Sequence, residues 1–198
     1  MELAESSVRL DPRSSFAYSV VAFIHAMDGA HDAALEAGRR AVELNPYDMG
    51  ARGVLGCCHL AIGEHKQAIE LFSTAVQRGN CDPRYQWAAM LAFSHYLLGQ
   101  YDASLSWTRE ALYFNPNHLQ VLALRTAALA QLGRSEEAAR AKQILLQAYP
   151  GFTVEKHLRN FRWRELTQVA HYREGLLMAG VPSTRLTLVE NGWRKANS

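Results

Sequence analysis

The sequence predicts an all-α chain, a solenoid of stacked helical hairpins, and three residue series sharing one period predict it. Gly29, Gly63, Gly99 and Gly133 stand 34, 36 and 34 residues apart, each ending an apolar helical stretch where a left-handed cap favours glycine. Pro12, Pro46, Pro116 and Pro150 hold one place in that frame, with Asn80 standing in once. They mark the turn after the following helix, which proline cannot extend. Ala34, Ala68, Ser104 and Ala138 repeat a small side chain where two antiparallel helices must approach closely.

The elements follow in order. Residues 2 to 10, ELAESSVRL, read as the second helix of a preceding repeat, because Pro12 follows them in register. The chain thus opens in mid-repeat, which fits either a piece of a longer chain or a half-repeat cap with Glu2 and Glu5 outward. Repeat one, 15 to 48, carries Tyr18, Val21, Ala22, Ala34, Ala41 and Pro46; repeat two, 49 to 82, carries Leu55, Gly56, Ala68, Phe72 and Ala75. Two extra residues fall at Cys81 to Arg84, where Asp82 and Pro83 can cap and start the next helix. Repeat three, 85 to 118, carries Leu91, Ala92, Ser104, Ala111 and Pro116, and repeat four, 119 to 152, carries Leu122, Leu129, Ala138, Leu145 and Pro150. Arg52, Gly38, Thr108 and Lys142 take places usually apolar or aromatic, which predicts looser packing there. For Lys142 it predicts an open face or a stem lying under something C-terminal. Beyond Pro150 the period stops. Thr153 can cap a short helix reaching about Phe161, and Val169, Tyr172, Leu176 and Ala179 form a stripe that ends at Gly180 and Pro182 and would close the last repeat.

At these offsets the chain resembles the tetratricopeptide-repeat (TPR) family over about three quarters of its length. The resemblance implies a right-handed TPR superhelix over residues 1–152, with a half repeat at 1–14, C-terminal capping helices at 153–182 and a tail at 183–198. The segment FRWRELTQVAHYREGLLMAGVP is similar to the ending that follows such repeats in bacterial class III adenylate and guanylate cyclase proteins and some winged-helix regulators. Phe161, Arg162, His171, Tyr172, Glu174, Gly175, Leu176, Ala179, Gly180 and Pro182 carry that likeness, which implies a regulatory part of a bacterial signalling protein.

Composition excludes several functions. No stretch approaches the ~20 apolar residues that cross a bilayer, and the acidic start lacks the features of a secretory leader, so a cytoplasmic protein is expected. Adjacent Cys57 and Cys58 cannot readily bridge each other, and with Cys81 they read as reduced packing residues. His25, His59 and His95 recur at one position, but stacked hairpins set them ~9 Å or more apart, too far to share a metal. No phosphate loop or nucleophile motif is present, so neither enzyme activity nor a cofactor is expected. Residues 151 to 198 hold eight Lys or Arg against four acidic residues. With Phe161, Trp163, Tyr172 and Trp193 among Arg159, Arg162, Arg164, Arg173 and Arg194, this gives the second reading, a nucleic-acid surface; arginine stems covering a capping helix explain the same residues.

The first reading is a partner protein or peptide held in the inner groove. The resemblance assigns Phe16, Phe23, Met27, Cys57, Leu60, Phe93, Tyr96 and Leu97 to that surface. Ser19 and Phe23 stand where carboxylate-clamping relatives have Lys and Asn, so an apolar helix or extended segment is the expected ligand. The same stripe could instead be covered by the chain's own C-terminal segment or by a second copy. An open groove predicts that glutamate at Phe23 and Phe93 spares the fold. Leu186, Leu188 and Trp193 around Asn191 and Gly192 suggest a weakly docked tail or small hairpin.

Overall fold

The computed structural model describes residues 2–78, 84–159, 161 and 164–184. These are helical throughout, with no strand among them. The first helix, α1 (Glu2–Leu10), stands alone, and four hairpins follow: α2 (Ser15–Asp28) with α3 (His31–Leu44), α4 (Met49–Ala61) with α5 (His65–Arg78), α6 (Arg84–Leu97) with α7 (Tyr101–Phe114), and α8 (Leu119–Gln131) with α9 (Ser135–Ala148). A short α10 (Val154–Leu158) and α11 (Leu166–Met178) end the described chain. The tail residues 185–198 and Asp82–Pro83 lie outside the described residues.

Local chemistry explains where these helices start and stop. Ser14, Asp48 and Thr153 accept hydrogen bonds through their side chains from the backbone N–H of Ala17, Ala51 and Lys156, satisfying donors that the first helical turn leaves free. At the other end, Gly29 at φ 80° carries the chain out of α2 with its N–H on Ala26 O. A left-handed φ recurs at Gly63, Gly99, Gly133 and Gly180, where a Cβ would be strained. The Asn45-Pro46 and Asn115-Pro116 turns close on Asp48 N→Asn45 O and His118 N→Asn115 O bonds.

Packing between hairpins sets the curvature. Each first helix touches the next, α2 on α4, α4 on α6 and α6 on α8, whereas no second helix touches another second helix among the described residues. The first helices therefore form the inner, concave side of the stack. Ala34, Ala68 and Ser104 are fully buried and Ala138 nearly so, as the close approach within each hairpin requires.

Packing is not looser where the sequence suggested it. Gly38 is buried against Leu55, and a Cβ there would meet Leu55 Cδ1 at 3.1 Å: the missing side chain lets α4 come closer. Thr108 is buried, its hydroxyl donating to Leu105 O at 2.8 Å. Arg52 is half-buried and donates from Nε to Pro46 O at 2.9 Å, joining the turn to the following helix. Lys142 is half-buried beneath the C-terminal segment, with Nζ 3.2 Å from where a Cβ of Gly180 would stand. Helix α10 is shorter than the expected run to Phe161.

Candidate partner-binding groove

Helix α11 covers the last hairpin from its concave side rather than from its end. It packs chiefly on α8 of that hairpin, and Ala179, just after it, lies against the cluster of Leu129, Ala138 and Ala141, so the stripe does cover the last repeat; but α11 also reaches α6 and makes no contact with α9 itself, and so lies on the concave side, across the third and fourth hairpins. Tyr172 and Leu176 are fully buried there. The Tyr172 ring stands edge-on to Phe93 at 5.3 Å and Tyr96 at 5.6 Å between centroids, an arrangement that sets the positive ring edge on a negative face. Gly175 makes this closeness possible. A Cβ on it would collide with the Tyr96 hydroxyl and lie 3.1 Å from Ala127 Cβ.

The segment before α11 extends the contact toward the N-terminal hairpins. Gln168 lies beside Gly63, its Nε2 2.7 Å from where a Cβ would stand. The Arg164 N–H donates to Ala61 O at 2.8 Å, and its guanidinium pairs with Asp32 at 2.6 Å. The other end is pinned too: Val154 N–H donates to Pro182 O, and Ser183 and Thr184 bond to the Glu155 carboxylate. Burial opposes ionisation of that carboxylate, but the bonds from Ser183 and Thr184 outweigh it and hold its pKa below the usual range.

An aromatic cluster fills the space between α10 and α11. His157 shares a 3.0 Å hydrogen bond with Tyr172 Oη and is ringed by Phe152 at 4.9 Å and Phe161 at 5.2 Å. Burial lowers its pKa to about 4, so the ring is neutral near pH 7. Tyr101 Oη bonds His171 Nε2 at 3.2 Å on the outer edge of α11.

The eight residues assigned to the groove thus fall into two groups. Phe16, Phe23 and Met27 on α2 are 74%, 51% and 52% exposed. Leu60, Phe93 and Tyr96 are buried in the core cluster that contains Tyr172 and Leu176, with Cys57 and Leu97 half-buried against it. Phe93, read from the sequence as open groove, is therefore core, because the chain's own helix covers it. This is the alternative the sequence left open, cover by the chain's own C-terminal segment, and since a glutamate at Phe93 would bury a charge, the fold is expected not to tolerate it.

The remaining candidate residues are occupied locally. His59 Nδ1 meets Glu64 Oε2 at 2.6 Å, and His95 Nδ1 meets Gln100 Oε1 at 2.7 Å; each ring joins its helix end to the loop five residues on. Burial pushes the Cys57 and Cys58 thiols up to about 12, away from the nucleophilic thiolate. Cys81, Arg162, Trp163, Trp193 and Arg194 lie outside the described residues. What sequence reasoning missed is the placement of Gly175. Its signal was present as a glycine inside a helical stripe, which marks close backbone approach.

Comparison with known proteins agrees with this architecture. Residues 25–92, about a third of the chain, match the tetratricopeptide repeat family. Among solved structures, the chain is similar to YrrB, described as a TPR protein with an unusual peptide-binding site (TM-score 0.61, 18% identity, covering 89% of this chain and 90% of that one). It is similar to PilW, a type IV pilus biogenesis factor (0.72, 16%, 89% and 78%), and to a thermophilic TPR protein of Thermus thermophilus (0.66, 20%, 89% and 88%). At these identities the likeness establishes the fold, a TPR superhelix. No curated protein sequence matches the chain.

Proposed function

We propose that the chain is a scaffold that holds a partner protein or peptide on its concave surface, at the half left open by its own C-terminal helix. The observation that carries this reading is the exposed stripe of Phe16, Phe23 and Met27, set 7 and 4 residues apart on one face of α2. Large apolar side chains left in water on a concave wall favour a ligand that covers them. A TPR fold suits that role, since it presents rows of helices as a binding surface. The likeness of the C-terminal segment to cyclase-associated endings supports a place in a bacterial cytoplasmic signalling protein. On this reading the chain carries no catalytic step, cofactor or metal.

The basic C-terminal surface favours nucleic acid less. Arg164 and Arg173 are within ion-pair distance of Asp32 and Glu155, which reduces the charge they offer to phosphate. The test is capture of the native partner by the full chain and by a Phe16→Glu/Phe23→Glu variant. Capture lost by a folded variant supports the groove; undiminished capture overturns it, and salt-sensitive binding of an oligonucleotide would favour the basic surface.

A further inference from the structure

Where α8 begins and α9 ends, the turn 149–153 and α10 border an open cleft of about 440 Å³. None of the residues assigned to the concave groove lines it. Its wall is formed by Leu119, Tyr149, Phe152, His157 and Phe161, and these rings are held in place before any ligand arrives. Phe152 and His157 are buried, Phe161 packs on His157 at 5.2 Å between centroids, and the Tyr149 hydroxyl donates to Asn117 O. A preformed, mostly apolar pocket of ~300–1,000 Å³ is the usual form of a small-molecule site.

Charge on the wall narrows the ligand. Among the described residues the one charged side chain there is the exposed Lys156, and no carboxylate lines the cleft. Burial keeps His157 neutral near pH 7. A compact inorganic anion would meet Lys156 but leave the rings in water, and a hydrocarbon would cover the rings but bring nothing to the ammonium. The larger cavity along α2 and α3, of about 730 Å³, mixes Asp32, Glu36 and Glu43 with Arg39 and Arg40 and selects no sign of charge.

We propose that the cleft binds a small aromatic carboxylate, with its ring against Phe152 and Phe161 and its carboxylate on the Lys156 ammonium. The site stands independently of the reading of the groove as a partner surface. It also has a route to α11. His157 shares its hydrogen bond with Tyr172, and the Phe161 ring meets Tyr172 at 5.9 Å and Phe93 at 6.0 Å between centroids. A ligand that fixes Phe161 and His157 stabilises the arrangement it binds. The aromatic acid therefore steadies α11 over α6 and α8, and the cleft couples its presence to the helix that covers half of the groove.

The experiment titrates the full chain with naphthoate, and with naphthamide as its uncharged counterpart, by calorimetry and by chemical-shift mapping. Expected is saturable naphthoate binding with a Kd on the order of 100 µM or tighter, shifts centred on residues 149–157, and slower amide exchange in α11. Lys156→Glu, a change at an exposed side chain, should weaken naphthoate at least tenfold at an unchanged melting temperature. Gly151→Phe should weaken it too. Gly151 lines the cleft outside the left-handed region, with nothing within 4 Å of where its Cβ would stand, so a ring can occupy the space without strain. Absence of binding, undiminished binding by either folded variant, or equal affinity for naphthamide overturns the proposal. Shifts centred on α2 overturn it as well, since the stripe of Phe16, Phe23 and Met27 would then be the receptor. Binding that leaves α11 exchange unchanged overturns the coupling. Binding that appears only when Leu186, Leu188 and Trp193 are changed to serine also overturns the proposal, making the chain's own tail the occupant.

Discussion

Gly175 and His157 show how single positions hold the C-terminal helix in place. At Gly175 the Tyr96 hydroxyl occupies the space a Cβ would need, and neither α6 nor α8 can retreat without opening the core. Gly175→Ala is therefore expected to destabilise by about 1–3 kcal/mol, despite alanine's better helix propensity; thermal and urea melts measure it. His157 makes stability pH-dependent. Its folded pKa lies near 4, below the ordinary 6.5, so between those values the unfolded chain binds more of the proton. Stability from this group is full above pH 6.5 and falls as pH drops toward 4, by about 3 kcal/mol in all. Urea melts at pH 7 and pH 4.5 should show the loss, and His157→Gln should flatten it over that window.

Among the elements, α11 is the one whose role exceeds its local sequence. It buries Tyr172 and Leu176 completely, each worth about 1.5–3 kcal/mol, and it hides Phe93 and Tyr96 from water. Deleting residues 153–198 is expected to lower the melting temperature by roughly 10 °C or more and to cause association through the uncovered groove. Calorimetry and sedimentation test both, and an unchanged monomer would show that α11 contributes nothing to the core. The Arg164–Asp32 pair at the far end joins two exposed side chains, so Asp32→Asn should scarcely move the melting point. Faster amide exchange confined to residues 164–168 is the expected sign of its role as an anchor.

For the whole molecule, the concave surface has two halves with different fates. In the half under α11, Phe93→Glu places a carboxylate among the rings of Tyr172 and Phe161 in the apolar core; loss of cooperative folding is expected, seen by circular dichroism. In the open half, Phe16→Glu with Phe23→Glu should keep helicity and melting temperature nearly unchanged, because Phe16 is mostly and Phe23 half in water already. Equal damage from the two variants would mean that the halves are not distinct.

The repeat period, the hairpin turns and the small residues at hairpin contacts were legible in the sequence, because each is a local requirement: a left-handed cap needs glycine, a turn after a helix admits proline, and a close crossing needs Ala34 or Ala68. The stripe of Val169, Tyr172, Leu176 and Ala179 was legible as a helix with one apolar face. Its destination was not, since an apolar stripe fits the end of a solenoid and the inside of its groove equally well. Only the tertiary structure decided between them, through Gly175 on Ala127 and Tyr172 on Phe93. That choice in turn decided the exposure of the groove. Phe23 and Phe93 hold the same place in the repeat, and one is open and the other core because burial depends on which distant segment arrives to cover it.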